Sequence, residues 1–86
     1  MPEYKSIPIR AVTEKAFREL EYLGLSLEDI EKLLKESYDC SKSKRKRTVQ
    51  EKCMKYNGKT LKIVIELMTS RTRFEKYWRI RHVSFV

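Results

Sequence analysis

The spacing of hydrophobic residues changes once along this chain, from a helical period before about residue 40 to an alternating one after about residue 47. Ahead of the helical part, residues 4–9 alternate between Pro2 and Pro8. They predict a first strand of edge type, because Pro8 has no N–H to give a central one. Thr13 then stands where an N-cap belongs, and Ala16, Phe17, Leu20 and Leu23 follow at helical spacing up to Gly24, the expected left-handed C′ residue. The next helix opens on Ser26 and Asp29, the spacing of a capping box with Asp in place of Glu. Leu27, Ile30, Leu33, Leu34 and Tyr38 trace one apolar stripe, with Glu28, Glu31, Lys32, Lys35 and Glu36 opposite, and the helix should end near Asp39.

After an apolar-free stretch at 41–47, residues 47–56, 59–68 and 73–86 alternate as strands, joined by Asn57-Gly58 and by a short link at 69–72. Two registers are open for the first hairpin. A two-residue turn sets Lys52 beside Ile63 and Gln50 beside Ile65; a three-residue loop with a bulge at Gly58 sets Cys53 by Ile63 and Val49 by Leu67. A one-residue slip exchanges the faces. Turn chemistry favours the first and burial the second, and the expectation leans to burial. The predicted class is α+β in the order β-α-α-β-β-β: a two-helix hairpin packed on one face of a small antiparallel sheet. Lys52, Lys62, Arg79 and Arg81 are expected on the other face.

Length bounds this to one domain over residues 1–86, with a modest core. Apolar residues make up 41% of the chain, Gly and Pro number two each, and the sequence is therefore a folding one. No apolar run approaches the ~18 residues of a membrane span, and the start lacks a signal-peptide core, so the expected location is cytoplasmic. Two cysteines in so short a chain are read as thiols, at least one of them buried in a strand, although a bridge is open to them. Cys40, Cys53 and His82 fall short of the four ligands of a structural zinc, and no metal or other cofactor is implied. Abundant Lys, Glu and Arg, with Gln50 and Asn57 as the only side-chain amides, give a thermophile-like composition.

Charge changes the picture most. Residues 1–40 hold six Lys/Arg against nine Asp/Glu, a balance of −3, whereas 41–86 hold fourteen against three, a balance of +11, for the net +8. The chain thus divides into an acidic helical half (1–40), a basic loop (41–47) and a basic meander (48–86), and the second half is built to attract anions. Lys42, Lys44, Arg45, Lys46 and Arg47 in the loop can neutralise several phosphates. In the last strand Arg71, Arg73, Lys76, Arg79 and Arg81 alternate with Phe74, Tyr77, Trp78 and Phe85. By alternation Tyr77 shares a face with Arg79 and Arg81, where it would stack an unpaired base beside phosphate-gripping guanidiniums, while Trp78, Ile80 and His82 share the core face. Lys62 adds a cation to the basic face. His82 is the only histidine and the only side chain whose ordinary pKa lies near neutrality. In a ribonuclease it would move a proton while Arg79 or Arg81 stabilises a pentacoordinate phosphate. Val83, Phe85 and Val86 include an apolar side chain that alternation turns away from the core, where a docking edge for a partner would lie.

Two resemblances follow. Residues 22–34 (YLGLSLEDIEKLL) resemble helix-turn-helix text of MerR-like regulators, but a reading helix there would turn Glu28, Asp29, Glu31 and Glu36 toward DNA phosphates, the wrong charge. Across most of the chain, a strand, a helical hairpin linked by Gly24-Leu25-Ser26 and a basic meander resemble the RelE/ParE toxin superfamily, closest in flavour to its BrnT-type members. That resemblance implies a sheet that binds and cleaves mRNA, often on the ribosome, and an antitoxin that covers it. Where related domains carry His and Arg in the first helix, this chain has Lys15, Glu19 and Leu23. By position, Lys52, Arg79, Arg81 and His82 are the candidates for a catalytic sheet site. The expected function is RNA binding with RelE-like architecture, extending to a metal-independent endoribonuclease. The alternatives are a non-catalytic nucleic-acid or ribosome binder, and an interaction module for an acidic partner.

Overall fold

The computed structural model describes residues 2–40 and 48–86. Strand β1 (Glu3–Tyr4) and strand β2 (Ile7–Val12) lead into helix α1 (Glu14–Leu23) and helix α2 (Leu27–Lys35). Strands β3 (Tyr38–Asp39), β4 (Val49–Tyr56), β5 (Lys59–Thr69) and β6 (Lys76–Phe85) complete the chain. The fold is α+β, with a six-stranded sheet in the order β1-β2-β6-β5-β4-β3.

The sheet is mixed rather than antiparallel: β2 runs parallel to β6, with Ile9 opposite Trp78 and Val12 opposite Ile80. The helical pair supplies the long crossover that a parallel neighbour needs. Two short strands lie outside the expected order. The N-terminus is a hairpin, β1–β2, turned by Lys5 and Ser6 at φ 52° and 64°. Pro8 is accommodated although β2 has neighbours on both sides, because pairing to β6 begins only at Ile9. At the other edge α2 stops at Lys35, and Tyr38 and Asp39 pair with Cys53 and Lys52. Tyr38 is therefore half exposed instead of extending the helix stripe.

Local chemistry fixes both helices. Thr13 Oγ1 accepts from Ala16 N at 3.2 Å, and Gly24 ends α1 in the left-handed region at φ 70°. Ser26 and Asp29 form the full capping box, each side chain accepting from the other's N–H at 3.2 and 2.9 Å. These bonds hold the Asp29 carboxyl below the usual carboxylate range, the Ser26 backbone bond first.

Ala16 and Leu20 of α1 and Ile30 and Leu34 of α2 bury against Ile9, Met54, Leu61, Ile63, Ile65, Trp78, Ile80 and Val83. Trp78 and Ile80 are core, as alternation requires, and Trp78 Nε1 donates to Tyr4 O at 3.0 Å, closing the first hairpin over the sheet. Phe17, assigned to the apolar side of α1, is instead 55% exposed.

The Asn57-Gly58 turn corrects the expected register. Both residues have positive φ (52° and 77°), a two-residue turn results, and Lys52 stands opposite Ile63 with Gln50 opposite Ile65. Burial was the wrong guide because Lys52 has a partner: its Nζ donates to Asp39 Oδ1 at 2.6 Å from the rim of the core. Its long apolar stem and the nearby Tyr4 ring make a cation tolerable on the helix side.

Cys40 and Cys53 are joined as a disulfide with Cα atoms 5.2 Å apart, which overturns their reading as free thiols. The short strand β3 is the reason, since pairing Tyr38 with Cys53 brings Cys40 alongside β4. No helix among the described residues is long and apolar enough to cross a membrane.

Candidate nucleic-acid interface

Strand β5 sorts the two faces of the sheet. Its odd positions, Leu61, Ile63 and Ile65, meet the helices, and its even positions, Lys62, Val64, Glu66 and Met68, form the open face. Register extends that face to Glu51 and Cys53 on β4 and to Tyr77 and Arg79 on β6. Lys62, Tyr77 and Arg79 therefore lie where alternation put them.

Lys52 does not. It faces the helices, only 6% exposed, and leaves the expected basic face without one of its members. Burial opposes its charge, but the hydrogen bond to Asp39 and the neighbouring Tyr4 outweigh that cost and raise its pKa above the ordinary lysine value. The same bond holds the exposed Asp39 carboxyl below its usual range.

The cations that do reach the open face are paired. Glu66 accepts from Arg79 Nη2 and lies 3.9 Å from Arg81 Nη1, while Lys62 Nζ stands 3.6 Å from Glu51. Three cations thus share two carboxylates, over Val49, Cys53 and Val64, which are buried outside the helix-side core. The long stems of Glu66, Lys62 and Glu51, their cross-strand partners, are suited to shield them.

Arg81 owes its position to a register shift. Val64 pairs with His82 but Ile65 pairs with Ile80, so Arg81 is the extra residue of a bulge in β6. This breaks the alternation that would have put His82 simply on the face of Trp78. His82 Nδ1 meets Glu19 of α1 at 3.0 Å, and Glu19 Oε1 also accepts from Val83 N at 3.0 Å. Glu19 thereby covers a length of β6 edge that β2, whose pairing stops at Ile80, leaves open. Of the four catalytic candidates, Arg79, Arg81 and His82 gather around the bulge and Lys52 lies apart on the other face. Glu19 is the member that sequence reasoning missed as a partner, because only the packing of α1 on β6 brings it to His82.

The second basic group stands at the end of the sheet. The turn from Ser70 to Glu75 is closed by Ser70 N donating to Glu75 O at 2.8 Å and Phe74 N donating to Ser70 O at 2.9 Å. Arg71, Arg73, Phe74 and Lys76 are all exposed there, with Phe74 at 80%. Arg71, Arg73 and Lys76 make no ion pair among the described residues. Arg10 reaches this turn through Glu75, at 3.4 Å. Lys42, Lys44, Arg45, Lys46 and Arg47 lie outside the described residues; Thr48, which follows them, accepts from Leu67 N at 2.7 Å, near the same end of β5.

At the far end of β6, Phe85 (39% exposed) stacks on Tyr56 with ring centroids 6.3 Å apart. With Tyr22, Leu23 and Val83 it lines a groove of about 340 Å³ beside Arg18 and Glu19. Val86 lies beyond it, 81% exposed. The comparisons leave the assignment to this geometry: no family model, no curated protein and no solved structure matches the chain.

Proposed function

We propose that this chain binds RNA through the basic strand half, with the uncompensated cations at the Ser70–Glu75 end of the sheet making the primary phosphate contacts. One observation carries the reading: Arg71, Arg73 and Lys76 project from one end of the sheet with no carboxylate partner among the described residues. Unpaired surface cations in a cluster cost electrostatic self-repulsion, and a polyanion relieves it while releasing its own counterions. The 42–47 sequence adds five cations to the same half. Filter binding of RNA between low and moderate salt tests the proposal. Binding that weakens steeply with salt is the expected result, and absent binding at low salt removes it.

A RelE-like endoribonuclease is the second reading, and the β6 bulge favours it. If Nδ1 of His82 donates to Glu19, its Nε2 is left as a proton acceptor on the same stretch of strand that carries Arg79 and Arg81, residue types suited to deprotonating a 2′-hydroxyl and stabilising a phosphorane. Strand scission lost in His82→Ala and in Arg81→Ala supports it. Tight binding without scission, on free RNA and on ribosomes, leaves the chain a non-catalytic binder. The acidic-partner reading rests on the groove at Phe85 and Tyr22, and predicts a complex that RNA does not displace.

A further inference from the structure

We propose that the Ser70–Glu75 turn recognises unpaired nucleotides, with the Phe74 ring as a stacking surface for one base and Arg71 and Arg73 holding the flanking phosphates. This rests on the RNA-binding reading and names the form of RNA it selects. Phe74 is 80% exposed and makes no ring or cation contact among the described residues, unlike Phe85, which stacks on Tyr56 under Lys59. Its backbone lies in the left-handed region, at φ 56°. A bulky aromatic is an outlier there, where glycine or asparagine would sit without strain. Neither solubility nor core packing is served by an exposed phenylalanine in that conformation, and a strained outlier held by its surroundings is a mark of a functional position. The surroundings do hold it: the two backbone bonds across the turn, the Ser70–Thr72 hydroxyl contact at 3.3 Å and the Arg10–Glu75 pair fix the loop from both sides.

The chemistry then selects the ligand. An aromatic face takes an unstacked base of any identity, and guanidiniums one and three residues before such a ring, as Arg73 and Arg71 are before Phe74, suit phosphates of the same strand. In a duplex the bases are stacked on each other and closed to the ring, so only the charge contribution remains. The turn thus separates single-stranded from double-stranded RNA where the charge alone would not.

The test is fluorescence-anisotropy binding of a single-stranded RNA dodecamer and of a duplex of the same length, to wild type, Phe74→Ala and Phe74→Trp. The single strand is expected to bind wild type more tightly than the duplex. Phe74→Ala should lose about tenfold of single-strand affinity, the ordinary size of one base–aromatic stack, with duplex affinity unchanged. In Phe74→Trp, single-stranded RNA should quench emission from the introduced indole, which stands at the surface while Trp78 is buried. Equal loss of both ligands in Phe74→Ala, or no loss of either, overturns the stacking role while leaving RNA binding intact. Absence of binding to both RNAs overturns this inference together with the reading beneath it.

Discussion

The strand half contains two basic regions with similar residues and opposite construction. On the middle of the open face, Arg79, Arg81 and Lys62 are tied to Glu66 and Glu51 over a buried apolar floor. At the Ser70–Glu75 turn, Arg71, Arg73 and Lys76 stand exposed with no carboxylate to neutralise them among the described residues. A count of cations treats the two alike. Their partners separate them: the first region spends much of its charge inside the protein, and the second keeps its charge for a ligand.

Substitutions should divide along that line, those in the braced region lowering stability and those at the turn lowering the salt dependence of binding. The largest effect on stability is expected from Cys40→Ser, about 3 kcal/mol for a loop of this length, read by urea unfolding, with the salt slope of RNA binding unchanged. Glu66→Ala follows, at about 1–3 kcal/mol, since it leaves two part-buried to half-exposed guanidiniums without their acceptor. The same variant should strengthen RNA binding by freeing both arginines, and weaker binding would show that Glu66 positions them for the ligand. Arg71→Ala combined with Arg73→Ala should change stability by less than about 0.5 kcal/mol. In that double variant the salt slope on single-stranded RNA should fall by about 1.4, two phosphate contacts' worth. An unchanged slope would return the binding surface to the open face.

The remaining contrast concerns Lys52 and Asp39. The depressed Asp39 pKa contributes stability that is present above the ordinary carboxylate range and is lost as pH falls through the folded value. The raised Lys52 pKa contributes stability that is complete below about 10.4 and is lost as pH rises through its folded value. Asp39→Asn should therefore flatten the acid limb of the stability profile by lowering stability at neutral pH, while leaving it nearly unchanged at pH values where the wild-type carboxyl is already protonated. Lys52→Met should be tolerated within about 1 kcal/mol, because an apolar side chain of similar length replaces a cation at the core rim. Full RNA binding in that variant would remove Lys52 from the site.

Much of the fold was legible because it is written in local chemistry. Thr13, Gly24, Ser26 and Asp29 mark helix ends by side-chain and backbone bonds to near neighbours. Asn57-Gly58 named its own turn, and the error in register came from letting a burial argument override it. That argument took Lys52 as unable to face the core, when Asp39, thirteen residues away, was there to meet it. The features that escaped are those with no local signature. Lys5 and Ser6 turn the first hairpin at positive φ without a glycine. The two-residue strand β3 is too short to show a period, and the disulfide depends on it. The Arg81 bulge, which decides where His82 goes, is visible only across the pairing with β5.

The parallel neighbour of β2 also bears on how the protein is made. Strands β4, β5 and β6 can pair with sequence neighbours as soon as each emerges, but β2 must wait for β6, the last strand, and the bond from Trp78 to Tyr4 spans 74 residues. Closing so long a loop before any contact repays it is slow. Until β6 emerges, then, β2 and the apolar face of α1 lack the strand that buries them. Assembly would be completed at the final strand, by the same segment that carries Arg79, Arg81 and His82.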